Sequence, residues 1–325
     1  MKREDLLGQF PNPLDDPHFH SLVPEARLNR RGFIAGVIAA GFAVTAAPVL
    51  SQAIRTSTDG LEAGDVTIPS GSGSIPAYYA VPKGKGRRPV VVVVPEIWGL
   101  HEHIKDVVRR LAKNGYFAIA AEPYSRIGEL WKLTEIKEVL AGANKLDDAQ
   151  AVSDIDAAVA WAGKHKLANA SKLGITGFCR GGRMVWMYSA HNPKVKAGVA
   201  WYGPFLPTPP AMPRGALDIA DKLKTPVLGL YGGADQGIPM DTVERMRAGL
   251  KAFGKDKQSI IHVYPDAPHG FNADYRQPTA RTPRPTDGSA CGRGSRVTGW
   301  VERVSRVEFG FDATALSVFA FHISR

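Results

Sequence analysis

From Asp65 to Val81, apolar and polar residues alternate around Gly71-Ser72-Gly73, the period of an antiparallel hairpin. Val90 to Val94 is an unbroken run of valines, too short for a helix and strongly β-branched, and it predicts a strand buried on both faces. Ile104 to Leu111 has helical spacing and runs into Asn114-Gly115, a helix stop. Tyr116 to Ala121 reads as a strand and Asp147 to Ala162 as a helix. Leu173 to Phe178 is the next expected strand, with a helix from Gly181 to Ala190. Two more strands, Ala197 to Tyr202 and Val227 to Tyr231, flank a proline-rich loop at Pro204 to Pro213. Met240 to Phe253 predicts a helix, and Ile260 to Tyr264 a last strand. Strands alternating with helices specify an α/β domain, a doubly wound and mostly parallel sheet with helices on both faces. No repeat and no glycine-rich dinucleotide fingerprint interrupts it.

Composition narrows the class. In 325 residues, 44% hydrophobic and 22% charged, there is material for one large core or two modest ones, which excludes a disordered or disulfide-scaffold protein. The net charge of +10 is spread without Lys/Arg blocks beyond short runs such as Arg109-Arg110, so it is read as solubility rather than nucleic-acid binding. No His/Cys/Asp cluster has metal-ligand spacing, and neither a metal nor an organic cofactor is expected.

The first fifty residues read as an address. Residues 1–28 are polar and proline-containing and are expected to be disordered. Asn29-Arg30-Arg31-Gly32-Phe33 leads into an apolar stretch from Ile34 to Leu50 and a small-residue end at Ala53. The segment 29–53 resembles a bacterial twin-arginine signal, with Asn29 where Ser or Thr is usual. The resemblance implies the twin-arginine export machinery as a partner. It places the protein in the periplasm, cleaved near Ala53 or held as an anchor on the outer face of the inner membrane.

The chemistry concentrates in residues 54–276. Gly177-Phe178-Cys179-Arg180-Gly181-Gly182 joins a strand to a helix, the pattern of a nucleophile elbow with Cys in place of the commoner Ser. Such a turn exposes the sulfur at the strand's carboxyl end, and the helix N-terminus favours a thiolate. The elbow calls for an acid and then a base further along the chain. Asp235 follows the strand ending at Tyr231, and His269 lies in the loop after Tyr264. His269 would take the thiol proton and Asp235 would orient the imidazole, with Asp266 the competing acid.

Glu96-Ile97-Trp98-Gly99-Leu100 after the valine strand, the Gly-Phe-Cys-Arg-Gly-Gly elbow, the Asp235 turn and His269-Gly270-Phe271 together resemble the dienelactone hydrolases, or carboxymethylenebutenolidases. The likeness runs from about residue 62 to residue 276. It implies an α/β-hydrolase fold that opens lactones or carboxylic esters through a Cys179-His269-Asp235 triad and an acyl-enzyme. It also implies that Glu96 helps activate the thiol, and that the backbone N–H groups of Ile97 and Arg180 form the oxyanion hole. Arg126 matches one of two arginines that hold a substrate carboxylate in the family; where the other belongs stands Ala273. Tyr124, Trp98, Tyr202 and Phe271 are candidates for an apolar pocket. A thioesterase or peptidase on the same fold, or a non-catalytic relative that binds a small molecule, is the alternative.

After Arg276 the chain changes character. Gln277 to Arg296 is Pro, Thr, Gly and Arg without helical period, although the fold requires a closing helix there. Reading GC-rich codons for Gln277 to Trp300 from the last base of each preceding codon can give AAYRPDAAADGWQRMRAWLAGHGV. That string has a Trp-x-x-Met-x-x-Trp face at helical spacing. Residues 277–325 are therefore expected to be an aberrant, frameshifted tail, and Cys291 to have no disulfide role.

Overall fold

Buried β-branched residues place the centre of the molecule. The valine run forms the core of β3 (Arg88–Val94), with Val90 to Val94 all buried. Each fully buried valine contributes about 1.5–3 kcal/mol relative to exposure. In the computed structural model, residues 54–71, 73–208 and 210–273 are described. The leader, the twin-arginine-like segment and the tail from 277 onward lie outside the described residues.

The elements follow in chain order. A hairpin of β1 (Leu61–Ser70) and β2 (Gly73–Pro82) precedes β3, α1 (Glu102–Lys113) and β4 (Phe117–Ala121). A 3-10 turn at Leu130–Lys132 and α2 (Ile136–Ala143) lead to α3 (Asp148–Lys164) and β5 (Ala168–Phe178). Then come α4 (Arg180–His191), β6 (Val195–Trp201), a 3-10 segment at Ala216–Lys222, β7 (Val227–Gly232), α5 (Met240–Ala252) and β8 (Ile260–Tyr264).

One eight-stranded sheet has the order β1-β2-β4-β3-β5-β6-β7-β8. Pairings from β4 to β8 are parallel, and β2 meets both β1 and β4 antiparallel. With helices on both faces this is the α/β-hydrolase fold. On α1, Ile104, Val107, Val108 and Leu111 are buried, the helical spacing visible in the sequence, and the helix packs on β2 and β4. Asp147 caps α3 by accepting the Gln150 N–H at 2.8 Å.

The expected strands and helices are present with ends shifted by a few residues. Helix α2 and the two 3-10 segments were not foreseen, although Ile136, Val139, Leu140 and Ala143 stand at helical spacing and are buried on α2. The parallel order brings the carboxyl ends of β3, β5, β7 and β8 to one side of the sheet, where a doubly wound fold builds its sites.

Candidate active site

The sharpest local feature is Cys179. It sits between β5 and α4 with φ 53° and ψ −119°, a conformation that L-residues other than Gly rarely adopt. Its N–H donates to the Trp201 carbonyl at 3.0 Å, and its carbonyl accepts the Arg183 N–H at 3.1 Å. The flanking glycines are required by contact. A Cβ on Gly181 would strike the Val94 and Pro95 carbonyl oxygens, and one on Gly177 would strike the Gly181 carbonyl. The sequence therefore forces helix and strand together and holds the sulfur at the turn.

Asp235 and His269 come together from successive strand ends. Nδ1 of His269 lies 2.7 Å from Asp235 Oδ2, and both side chains are buried. The second carboxylate oxygen, Oδ1, accepts the Gly237 N–H at 2.9 Å. Backbone bonds stitch the two loops to each other: Gly233 N–H donates to the Tyr264 carbonyl at 2.8 Å and Ala234 N–H to the Ala267 carbonyl at 3.1 Å. Asp266, the competing acid, is exposed. Burial pushes the His269 imidazolium down, but the charges and hydrogen bonds of Asp235 and Cys179 outweigh it and hold its pKa up at about 10.

On the far side of the elbow, Glu96 leaves β3 into a tight turn closed by the Gly99 N–H donating to the Glu96 carbonyl at 3.1 Å. The Glu96 carboxylate is buried, with Oε1 3.1 Å from Nε2 of His101. Ile97 and Trp98 are buried on the same turn. Tyr124 is fully enclosed. Burial raises its hydroxyl well above the ordinary range; Arg180 opposes this, while Glu122, Cys179 and Glu96 add to it, so the ring stands among the residues of the elbow.

Three positions depart from a simple pocket. The Arg126 guanidinium is paired with buried Asp154 at 3.0 Å and reaches the Ser70 carbonyl at 3.3 Å. Arg180 donates its guanidinium to Asn144 Oδ1 at 2.9 Å and to the Leu146 carbonyl at 2.7 Å. Phe271 packs on Tyr202 with ring centroids 5.2 Å apart and on Tyr264 at 5.2 Å.

Sequence reasoning passed over two residues at this site and gave a third a lesser part. Tyr202, weighed only as a pocket wall, has φ 38° and lies edge-to-face on the His269 ring at 5.0 Å. His101 pairs with Glu96. Glu122 is buried beside the Glu96 turn. Spacing from Glu96 could have flagged His101; nothing in the sequence marks the other two. A mostly apolar groove between β3, α3 and α4 shares Tyr124 and Arg180 with the site but is lined by none of Cys179, Asp235 and His269. Among the described residues, no group of three His, Cys, Asp or Glu side chains is placed to hold a metal ion.

Comparison with known proteins identifies the family. Residues 75–302 match the sequence model of the Dienelactone hydrolase family, a match that continues past Arg276. A Methylorubrum extorquens protein named "Putative carboxymethylenebutenolidase" is 51% identical over 276 residues, 84% of this chain and 94% of its own length. A Salmonella typhimurium protein of the same name is 48% identical over 239 residues, 73% of this chain and 87% of its own. The crystal structure described as "Putative Dienelactone Hydrolase" from Klebsiella pneumoniae is similar at 45% identity and a TM-score of 0.66, covering 74% of this chain and 98% of that one.

Proposed function

Because the chain belongs to the dienelactone hydrolase family and is thereby a carboxylic-ester or lactone hydrolase, we propose that it works through Cys179, His269 and Asp235 by way of an acyl-enzyme. The Cys179 thiolate attacks the carbonyl carbon, and the carbonyl electron pair moves onto oxygen. The N–H groups of Ile97 and Arg180 receive that oxyanion. Collapse breaks the C–O bond, and the leaving alkoxide takes the proton from the His269 imidazolium; in a lactone it stays tethered to the acyl group. A water molecule then attacks the thioester, giving its proton to His269. The second collapse expels the thiolate and releases the carboxylic acid, which gives its proton to solvent, and the thiolate–imidazolium pair is restored. Asp235 holds the imidazole in the tautomer that both steps need. Glu96 acts at the thiol from the other side.

The observation that carries this reading is the buried 2.7 Å His269–Asp235 pair whose imidazole is also held by Cys179 at a strained elbow. Trp98, Tyr124 and Phe271 are assigned to the acyl pocket. Arg126 can hold a substrate carboxylate only by sharing or releasing Asp154. The test is hydrolysis of p-nitrophenyl acetate and of a dienelactone, with intact-protein mass spectrometry of the quenched reaction. Cys179→Ala is expected to lose at least ~10³-fold in kcat and all of the acetyl adduct. Unchanged turnover in that variant overturns the proposal.

The proposal extends to the two outer segments. Residues 29–53 direct export, and replacing Arg30 and Arg31 by Lys is expected to leave the protein in the cytoplasmic fraction; periplasmic recovery of that variant refutes it. Residues 277–325 are the product of a frameshift near residue 276. The gene's nucleotide sequence decides this: if no single-base change restores a Trp-Met-Trp closing helix, the idea is wrong.

A further inference from the structure

The scheme above uses Glu96 and leaves a second buried glutamate without a task. Glu122 follows β4, and its carboxylate reaches across to the turn after β3. Oε2 accepts the Leu100 N–H at 2.7 Å, and Oε1 accepts the Tyr124 N–H at 2.9 Å. Gly99, with φ +78°, lies so close that a Cβ there would overlap the carboxylate. One side chain thus joins two loops, and those loops carry Glu96, Ile97, Trp98 and Tyr124.

We propose that Glu122 is a positioning residue for the hydrolytic site, and that its carboxylate form ties the Glu96–His101 turn to the Tyr124 loop so that Ile97 N–H and Glu96 are held at the substrate carbonyl. This rests on the proposed function, which makes those two groups participants. A carboxylate only accepts hydrogen bonds, so it satisfies both N–H groups at once. A neutral carboxylic acid carries a hydroxyl donor, and one of the two N–H groups then faces a donor.

The groups that face Glu122 are Lys105 from α1, itself paired with Asp65 at 2.5 Å, and Glu129 from the loop after Tyr124. Tyr124, whose backbone N–H Glu122 accepts, is also within electrostatic reach of Arg180, Cys179 and Glu96. Burial is the largest influence on Glu122 and raises its pKa to about 7 against the pull of the two backbone N–H groups. The tie is complete above that pH and incomplete below it.

The experiment is steady-state hydrolysis of p-nitrophenyl acetate by the full chain from about pH 5 to 9, for the wild type, Glu122→Gln and Glu122→Asp, with thermal melting alongside. Glu122→Gln reproduces the neutral form. It is expected to lower kcat on the order of tenfold at about pH 8, with KM within about twofold, because an oxyanion donor is displaced rather than removed. It is also expected to lose the wild-type rise in kcat near pH 7. Glu122→Asp keeps the charge but is one methylene too short to reach both loops, so it lowers kcat and retains the rise. A Glu122→Gln protein with the wild-type kcat and the wild-type rise overturns the proposal. Should that variant fail to fold, Glu122→Asp with unchanged kcat overturns it instead. Cys179→Ala separates the two levels: if it retains turnover, the site assignment itself is wrong. If it is inactive while Glu122→Gln matches the wild type, only the role of Glu122 falls.

Discussion

Two buried carboxylates stand on opposite sides of the elbow, and the fold satisfies them by different means. Asp235 divides its oxygens between a backbone N–H and an imidazole that takes up positive charge. Glu122 accepts from two backbone N–H groups and, among the described residues, from no cationic side chain. Backbone dipoles compensate desolvation only in part, so Glu122 titrates at about 7. A buried acid opposite a titratable base builds proton-transfer machinery. A buried acid opposite peptide groups builds a scaffold tie whose strength depends on pH.

The comparison breaks most visibly at Asp235. Asp235→Asn leaves the shape intact and removes the charge that keeps the imidazole oriented; kcat for ester hydrolysis is expected to fall about 10³–10⁴-fold, measured at matched folded fraction. The contrast with the tenfold effect at Glu122 is the point, and equal losses at both positions would erase the distinction.

Gly99→Ala attacks the other side alone. The left-handed backbone at Gly99 costs an alanine about 1–2 kcal/mol, and the methyl group displaces the Glu122 carboxylate from one or both N–H groups at about 1 kcal/mol each. A total destabilisation of about 2–4 kcal/mol should appear in denaturant melts, with kcat for ester hydrolysis lowered as in Glu122→Gln. A folded Gly99→Ala protein with wild-type stability and kcat would mean that the Glu122 tie does not hold this turn.

Stability against pH sharpens the comparison further. Glu122 has a folded pKa raised from 4.5 to about 7, so its ionised form is disfavoured by folding. Its penalty is absent below about pH 4.5 and complete above about pH 7, and stability falls between them, by an amount on the order of 3 kcal/mol. His269 has a folded pKa raised from 6.5 to about 10, so its contribution is full below pH 6.5 and lost as pH rises through 10. Melting curves should show two successive declines. Glu122→Gln is expected to remove the lower one, and Asp235→Asn to shrink the upper. A single decline unaffected by either variant contradicts the assignment. The smallest effect is at Glu129, an exposed neighbour whose charge helps raise Glu122. Glu129→Gln should move the lower decline down by a few tenths of a pH unit at low salt and leave it in place at high salt.

The asymmetry between the two sides also explains what could be read in advance. Strand–helix alternation, the elbow and the order Cys179, Asp235, His269 were legible because each leaves a local mark: a valine run, glycines where backbones touch, chemistry-bearing residues just after strand ends. Glu122 left none, because its partners are peptide N–H groups of Leu100 and Tyr124, and a peptide group is the same under every side chain. The Arg126–Asp154 pair joins positions 28 residues apart through a fold contact that no spacing rule encodes. The backbone strain at Tyr202 arises where β6 hands its chain across to β7, its N–H donating to the Leu230 carbonyl at 2.8 Å, and tyrosine at that place reads as ordinary core.

The stitching of residues 233 and 234 to residues 264 and 267 has a kinetic corollary. Proton acceptor and orienting acid ride on a single stiff platform, so thermal breathing of the cleft carries them together and leaves their mutual alignment intact. The Tyr202 ring, edge-to-face on the His269 ring and packed on Phe271, lies against the same platform, so a change in its size is felt at the imidazole.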